Sequence, residues 1–291
     1  PPGLRITGKV ISIPGESVRE VSGQKVMLTL SPCKAYWIGA GQNLNPKVVM
    51  PVDLFGQPAD YDSIAPIAKE NGMKVLCDAA QSYGAEYKDH KIGSIGDATA
   101  TSFFPAKPLG CYGDGGAIFT QDDELNDILK SLRVHGKGTD KYDNVRIGMN
   151  GRMDTMQAAI LLEKLKIFQD ELKVRQEIAD NYSNALSSVC QTPHVINGAK
   201  SAWAQYTIQI QNRDALAQEC KNGGVPTAIY YPKPMHEQTA YKRFGHIDGG
   251  LPVSDSLSKT VLSLPMHPYM EQDTQNQIID VVISSLKQEA A

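Results

Sequence analysis

The sequence has little net charge, no long apolar run and no paired cysteine motif, and each of these absences excludes a class of protein. A formal net charge of −3 over 291 residues provides no basic surface for nucleic acid. The longest apolar runs are far shorter than the roughly 20 residues of a membrane-spanning helix. The five cysteines are scattered without a Cys-x-x-Cys pair, which favours reduced thiols in the cytoplasm over disulfides or a metal site.

The chain also lacks an initial methionine. It begins Pro1-Pro2 and shows no signal peptide, so we expect a fragment or a processed product. Its hydrophobic and charged fractions, 41% and 21%, are those of a soluble globular protein. The length is enough for one large domain or two ordinary ones.

One lysine lies in an unusual setting. Lys107 is boxed between Pro105 and Pro108, and four glycines follow within the seven residues 110–116, interrupted by Asp114. Proline fixes φ, whereas glycine permits positive φ and the close approach of other groups, so this segment holds one amine on a tight, irregular backbone. An ordinary surface lysine does not need such a setting, but an amine that forms a Schiff base does.

The residues before and after this lysine alternate between strand and helix patterns. The predicted strands cover residues 48–52, 74–78, 98–104 and 116–120, and the predicted helices cover 60–70 and 122–132. This order is that of the parallel crossover unit of an α/β sheet. Asp78 ends one strand and Ser102 lies near the end of the next, at the sheet edge where ligands bind in open α/β folds. N-capping of the next segment is the alternative interpretation of Asp78.

A long helical pattern separates this region from a smaller one. Apolar residues recur at helical spacing from Asp154 to about Ser188, and the pattern allows a break within it. The loop 135–150 before it is interpreted either as a mobile lid or as an ordinary solvated loop. The remainder is predicted to be a small α+β domain. Its predicted strands cover 202–210, 226–231 and 261–269 with a turn, and its predicted helices cover 213–222, 254–259 and 274–287.

Taken together, Asp78, Ser102 and Lys107 suit a pyridoxal phosphate site. The lysine binds the cofactor and moves a proton, and a carboxylate keeps the pyridine nitrogen protonated so that the ring acts as an electron sink. Hydroxyl and backbone N–H groups hold the phosphate. On these residues alone, a solvated lysine in a glycine-rich loop remains the alternative interpretation.

Five ordered sequence blocks resemble the sugar-nucleotide-dependent aminotransferases of the DegT/StrS type, a fold-type I pyridoxal phosphate family. The blocks are PVDLFGQ at 51–57, DAAQS at 78–82, SFFPAKPLG at 102–110 with GDGG at 113–116, NGRMD at 150–154 and LPMHP at 264–268. The resemblance covers residues 48–291. It implies an α/β fold with a mostly parallel sheet and helices on both faces, plus a small C-terminal α+β domain. The implied division is an atypical segment at 1–47, a large cofactor domain at 48–188 and a small domain at 189–291.

The resemblance implies a cofactor contact for each matching position. Lys107 would be the Schiff-base lysine, and Asp78 would bind the pyridine nitrogen of pyridoxal 5'-phosphate. Gln81 would lie near the phenolic oxygen of the ring, with Ala80 also at the cofactor. Ser102 would bind the phosphate. The resemblance implies no metal.

Four further residues acquire a role only if the protein is a homodimer with shared active sites, which the resemblance also implies. Asn150 would reach the phosphate from the partner subunit. Arg152 would hold a carboxylate of the amino donor or of the sugar acid, a task that suits its planar fork. Tyr230 and Tyr231 would approach the nucleotide sugar, although packing at a domain boundary is an equally compatible reading of this pair.

The reaction implied is a ping-pong transamination. L-glutamate gives its amino group and leaves as 2-oxoglutarate, and a ketone of a nucleotide sugar accepts the amine, with Lys107 as acid and base. The blocks most resemble enzymes that aminate the 3-keto group of a UDP-linked N-acetylhexuronic acid for surface polysaccharides such as the lipopolysaccharide O-antigen. A 4-keto-sugar aminotransferase is the alternative. A dehydratase subgroup carries histidine in place of this lysine, so Lys107 argues against that chemistry.

Residues 1–47 depart from the family pattern. In the family a much longer segment precedes the first block and contains a Gly-Thr phosphate loop and an aromatic residue that stacks on the cofactor ring. Residues 1–47 show no equivalent, so we expect part of the phosphate-binding site to be absent from this polypeptide. A non-catalytic remnant that keeps the fold and binds ligand without turnover is therefore a second functional hypothesis.

Overall fold

The computed structural model describes residues 12–13, 27–30, 34–37, 46–244 and 250–289. The three short N-terminal segments are strands β1 (Ser12–Ile13), β2 (Met27–Leu30) and β3 (Lys34–Trp37). They form an antiparallel sheet in the order β1-β3-β2. Most of the atypical segment 1–47, including the expected absence of a phosphate loop, lies outside the described residues.

The main sheet has four strands in the order β4-β5-β8-β9. These are β4 (Val48–Val49), β5 (Lys74–Asp78), β8 (Ala98–Ser102) and β9 (Gly116–Phe119). The first three are parallel, which confirms the crossover unit predicted for residues 48–78, whereas β9 runs antiparallel to β8. The loop that carries Lys107 connects β8 to β9, and the chain reverses its direction across it.

A second, small sheet lies beside the main one. It consists of β6 (Glu86–Tyr87), β7 (His90–Lys91) and β10 (Ala199–Lys200) in the order β10-β6-β7. Because β10 comes from the C-terminal part of the chain, this sheet ties the two halves of the sequence together.

Helices α1 (Tyr61–Glu70) and α2 (Asp123–Arg133) confirm the two helices predicted in this region. Each begins after an aspartate whose side chain accepts a hydrogen bond from a backbone N–H of the first turn, Asp60 from Ser63 and Asp122 from Leu125. The buried face of α1 joins the first hydrophobic core, which also includes side chains of β4 and β5. Its largest members are Val49, Tyr61, Ile64, Met73, Val75, Tyr87 and Ile92.

The long helical pattern forms two helices, α3 (Thr155–Leu165) and α4 (Phe168–Leu186), so the predicted break lies at residues 166–167. Phe168 is 2% exposed and packs in the cluster below the lysine-bearing loop. The C-terminal half of α4 packs elsewhere, in the core of the C-terminal part. That second core includes Ile178, Tyr182, Leu186, Tyr206, Leu216, Leu262 and Val282.

The C-terminal part contains an antiparallel strand pair, β11 (Tyr206–Gln209) and β12 (Val261–Leu264). It also contains the helices α5 (Arg213–Asn222), α6 (Pro252–Thr260) and α7 (Gln272–Glu289), which confirm the three predicted helices. None of the helices in the described part of the chain combines the length and the apolar character that spanning a membrane requires.

One strand prediction in this part, 226–231, is wrong, and another, 202–210, is confirmed only over β11. Residues 226–231 contribute only an isolated bridge from Ala228 to Ser263. Residues 202–205 are not a strand, because their backbone bonds to the loop after β4: Ala202 N donates to Gly56 O and Gln205 N to Phe55 O. Both segments instead approach the cavity described next.

Candidate active site

A cavity of about 520 Å³ lies between the strand ends of the main sheet and the C-terminal part of the chain. On the sheet side it is lined by Asp78, Ala80, Gln81 and Lys107. The opposite wall includes Tyr230, Tyr231, His194, Lys233, Gln205 and Gln209. The cavity thus lies at the carboxyl edge of parallel strands, as predicted, and it brings together residues that are far apart in sequence.

Asp78 is the last residue of β5 and is half-buried. Its Oδ1 accepts a hydrogen bond from Ala80 N at 3.0 Å. This contact holds the turn that follows the strand, so the capping interpretation is correct for one oxygen. The second carboxylate oxygen makes no hydrogen bond within the described part of the chain and is available to a group in the cavity.

Gln81 is 7% exposed, and its amide is fixed by the loop after β4. The Oε1 atom accepts a hydrogen bond from Phe55 N at 2.5 Å. Phe55 has a φ of +63°, so this loop is held in a left-handed conformation that is rare for a residue with a side chain. Because Oε1 is already occupied, Gln81 offers its Nε2 donor to an acceptor atom of a ligand.

The segment around Lys107 is as tight as its prolines and glycines predict. Lys107 N donates to Phe104 O at 2.9 Å and closes a turn. A Cβ at Gly110 would lie 2.5 Å from Pro105 O and 2.8 Å from Phe104 O, distances that real Cβ atoms do not adopt. Glycine is therefore required at position 110, where the chain folds back on the turn that presents the lysine.

Three of the predicted site residues are not among those that line the cavity. Ser102 is half-buried at the end of β8, and its Oγ accepts a hydrogen bond from Phe104 N at 3.2 Å. Asn150 is exposed and pairs with Val134 through an isolated bridge. The exposed Arg152 lies near His135, with 3.4 Å between Nη1 and Nε2.

The loop 135–150 is internally ordered by backbone contacts. Val134 and His135 pair with Asn150 and Met149, and Lys137 pairs with Asn144. These contacts pair the two ends of the loop with each other and leave Asn150 at the surface. Both interpretations of this loop, a mobile lid and an ordinary solvated loop, stay predictions.

Sequence reasoning missed one buried carboxylate beside the site. Asp53 is 0% exposed and accepts hydrogen bonds from Tyr61 Oη at 2.6 Å, Ser82 Oγ at 2.7 Å and Ala59 N at 2.8 Å. Burial raises the pKa of Asp53 to about 6 despite these three donors, and the nearby charge of Asp78 acts in the same direction. Asp53 belongs to the PVDLFGQ block, but nothing in the spacing of that block signals a contact with Ser82.

The cavity wall also contains two glutamines that sequence reasoning missed. Gln57 Oε1 and Gln205 Oε1 are buried and have no hydrogen-bond partner within the described part of the chain. Unpaired buried carbonyl oxygens are costly, so a donor brought by a ligand would stabilise this wall. Gln57 lies outside the predicted strands and helices, and the strand pattern at 202–210 contains Gln205 without singling it out.

Residues 40–283 match the sequence model of the DegT/DnrJ/EryC1/StrS aminotransferase family. The chain is 46% identical over 226 residues to the UDP-2-acetamido-2-deoxy-3-oxo-D-glucuronate aminotransferase of Pseudomonas aeruginosa. That match covers 77% of this chain and 62% of the Pseudomonas protein.

Two solved structures are similar to this fold. An aminotransferase of the same family from Brucella abortus has a TM-score of 0.81 and 53% identity, with 82% of this chain and 64% of that chain covered. DesV of S. venezuelae has a TM-score of 0.80 and 34% identity, with 83% and 65% covered. The chain thus spans slightly less than two thirds of the length of these relatives.

These matches confirm the predicted fold class, that of the fold-type I enzymes with an α/β sheet. They also confirm the predicted cofactor class, since the aminotransferases of this family use pyridoxal phosphate. The family model covers residues 40–283 of the 291 and leaves only the two ends of the chain unmatched. The chain therefore belongs to the DegT/DnrJ/EryC1/StrS aminotransferase family.

Proposed function

We propose that this chain carries the lysine-bearing part of a pyridoxal phosphate-dependent sugar-nucleotide aminotransferase. The observation that carries the proposal is that Asp78, Gln81 and Lys107 line one cavity at the carboxyl edge of the sheet. The acceptor we propose is the 3-keto group of a UDP-linked N-acetylhexuronic acid, and the donor is L-glutamate. The name of the Pseudomonas relative, a UDP-linked 3-oxo-glucuronate aminotransferase, supports this choice of acceptor.

The residues on the sheet side of the cavity fit the cofactor chemically. Asp78 has a free carboxylate oxygen with which to hold the proton of a pyridine nitrogen, and Gln81 has a free Nε2 donor for a phenolic oxygen. When bound, the cofactor supplies an electron sink for the charge that develops as a proton leaves the substrate carbon. Lys107 is the amine that binds the cofactor and carries that proton. We further propose that Ala80 and Ser102 contact the cofactor.

The proposal includes a homodimer with shared active sites. Asn150 and Arg152 are exposed and lie outside the residues that line the cavity, so within one chain they have no ligand to reach. A partner subunit would give them the phosphate and the carboxylate that we assign to them. Tyr230 and Tyr231 line the cavity and are our candidates for contact with the nucleotide sugar.

We further propose the division into a large cofactor domain at 48–188 and a small domain at 189–291. The second hydrophobic core supports it, since its buried members come only from the C-terminal half of α4 and from residues beyond 188. Cys77, Cys111, Cys190 and Cys220 are free thiols, which supports a reducing compartment and hence the cytoplasm. The product would serve surface polysaccharide synthesis, such as that of the O-antigen.

The test begins with the lysine. We expect the chain mixed with pyridoxal phosphate and reduced with borohydride to carry the cofactor on Lys107, as located by peptide mass spectrometry. Lys107→Ala should lose this label and at least 10³-fold of any transamination rate, roughly the effect of removing an acid–base group that also binds the cofactor. Lys137→Ala, at a lysine outside the cavity, is the matched control and should label like the unchanged chain.

The substrate is tested separately from the lysine. Chain loaded with the amino form of the cofactor is mixed with 3-keto and with 4-keto UDP-sugars, and the return of the aldehyde-form absorbance is followed. We expect the 3-keto UDP-N-acetylhexuronic acid to react faster. A faster reaction with the 4-keto sugar would show that the acceptor is a 4-keto sugar and not the 3-keto sugar that we propose. Sugar binding without any return of absorbance would identify a non-catalytic remnant.

A further inference from the structure

The loop that presents the proposed cofactor lysine packs against one face of α3. The residues on this face belong neither to the predicted site residues nor to those that line the cavity. We call residues 103–113 the lysine loop. On α3, residues Gln157, Leu161 and Lys164 are four and three positions apart and therefore project from the same side of the helix. All three contact the lysine loop or its immediate surroundings.

Lys164 makes the strongest of these contacts. Its Nζ donates a hydrogen bond to Gly110 O at 2.6 Å, and it lies 4.9 Å from the centroid of the Tyr112 ring. The side chain is half-buried, so the ammonium is only partly screened by water. A charged donor on a carbonyl oxygen forms a stronger hydrogen bond than a neutral one, and the aromatic face adds a cation–π contribution.

Gln157 and Leu161 hold the same loop at neighbouring points. Gln157 Oε1 accepts a hydrogen bond from Tyr112 N at 2.7 Å. Leu161 is 5% exposed and packs in one cluster with Leu109 and Cys111. This face of α3 thus forms hydrogen bonds with the loop on both sides of Cys111, at Gly110 O and at Tyr112 N. It also packs against the buried apolar side chains of the loop.

These contacts matter because Gly110 is the point at which the chain folds back on the Lys107 turn. Gly110 approaches Pro105 O and Phe104 O, and Phe104 O accepts the hydrogen bond that closes the turn. Fixing Gly110 O therefore restrains Phe104 O, the acceptor of the Lys107 N–H. The ammonium of Lys164 acts through the backbone of the loop rather than on a reacting atom.

We propose that Gln157 and Lys164 are positioning residues that hold Lys107 at the cavity by anchoring the lysine loop to α3. The inference rests on the proposed function of Lys107 for its catalytic meaning. Its physical content, an ordered loop that presents one amine, does not depend on the cofactor.

The first test measures the loop in the chain without cofactor. Hydrogen–deuterium exchange of peptides covering residues 103–113 should rise about tenfold in Lys164→Met and in Gln157→Ala, as expected for losing one hydrogen bond of this kind. Peptides from α1 and α5 should exchange as in the unchanged chain. Lys164→Arg, which keeps a charged donor, should restore most of the protection.

The second test measures the amine itself. The concentration of pyridoxal phosphate that half-saturates borohydride trapping at Lys107 should increase about tenfold in Lys164→Met, in line with the looser loop. Lys166→Met is the matched control, because Lys166 lies two residues further along and its side chain forms an exposed ion pair with Glu163. It should change neither exchange nor trapping.

The outcomes separate this inference from the proposed function. Unchanged exchange of residues 103–113 in both Lys164→Met and Gln157→Ala would overturn the inference, whatever the cofactor does. Increased exchange with unchanged trapping would also overturn it, because the loop would then be ordered without positioning the amine. Trapping that fails in the unchanged chain would overturn the function of Lys107, while the exchange measurement would still decide whether α3 orders the loop.

Discussion

Gly110→Ala is expected to lower the free energy of unfolding by about 3 kcal/mol or more and to abolish trapping of pyridoxal phosphate at Lys107. The added methyl group would lie 2.5 Å from Pro105 O and 2.8 Å from Phe104 O. Both atoms belong to the backbone, so a side-chain rotation cannot relieve the contact. The loop must move as a unit, and the turn closed by the Lys107 N–H to Phe104 O hydrogen bond moves with it.

The expected loss has a second component below the loop. Leu109 is 2% exposed and Cys111 is 0% exposed, and both pack against α3 in the cluster that contains Phe103. A displaced Gly110 pulls on its two buried neighbours at once. Burying a side chain such as leucine contributes about 1.5–3 kcal/mol, so partial release of this pair makes the effect larger than the steric contact alone.

Urea denaturation of the two chains measures the stability change, and borohydride trapping measures the loss at Lys107. Gly151→Ala is the matched control, because a Cβ there meets its nearest atoms at an ordinary 3.5 Å. It should unfold within about 0.5 kcal/mol of the unchanged chain. A Gly110→Ala chain that unfolds at the same urea concentration and is still trapped at Lys107 would show that the backbone of the loop is not the constraint.

The helices of this fold were predictable because each carries its own signals. Asp60 and Asp122 begin the first two helices, the buried face of α1 is visible as an apolar periodicity, and α5 has the predicted bounds Arg213–Asn222. The break between α3 and α4 was allowed by the pattern but not located by it. Helical periodicity is local, so it can be read without knowledge of the rest of the chain.

The strands were less predictable because pairing depends on distant partners. Residues 226–231 have the composition of a strand, yet only Ala228 pairs, and it pairs with Ser263. Residues 202–205 bond instead to the distant loop after β4, Ala202 to Gly56 and Gln205 to Phe55. A strand-like composition indicates only that a segment could pair, and the fold decides whether an edge is available.

The candidate site also has residues that local sequence patterns identify and supporting contacts that they do not. Asp78 and Lys107 could be singled out because one ends a strand and the other lies in a distinctive loop, whereas Gln81 was assigned only through the family resemblance. The hydrogen bond between Tyr112 N and Gln157 joins positions 45 residues apart in the sequence. The hydrogen bond between Ser82 and Asp53 joins positions 29 residues apart. No local pattern encodes such contacts, so the side chains that support the site are visible only in the structure.

The second large effect concerns Asp53 and depends on pH. Its pKa is raised from the ordinary 3.8 to about 6, chiefly because the carboxylate is buried. Between about pH 4 and pH 6 the folded chain keeps a proton on Asp53 that the unfolded chain has already lost. The free energy of unfolding therefore falls as the pH rises through this window, and above it the buried charge costs about 3 kcal/mol.

Asp53→Asn is expected to remove this cost while keeping the acceptor. An amide Oδ1 can still accept from Tyr61 Oη and Ala59 N, and its Nδ2 can donate to Ser82 Oγ, which reverses its own role. The variant should therefore be as stable as the unchanged chain near pH 4. By pH 7 it should be more stable, by up to about 3 kcal/mol.

Asp53→Ala distinguishes the effect of losing the hydrogen-bond acceptor from the effect of losing the buried charge. It leaves Tyr61 Oη, Ser82 Oγ and Ala59 N without their partner in a site that is 0% exposed. Each buried donor left unpaired costs about 1–3 kcal/mol, so this variant should be destabilised by about 3 kcal/mol or more at pH 4, where the charge is absent.

Urea denaturation at pH 4, 5, 6 and 7 measures these differences, with Asp89→Asn as a control that removes one exposed carboxylate. The control should keep the fall in stability that we assign to Asp53. A constant difference between Asp53→Asn and the unchanged chain across the four pH values would mean that Asp53 does not take up a proton on folding. Its three donors would then hold the carboxylate charged, and the loop after β4 would be fixed to Ser82 by an ionised group at every pH at which the protein works.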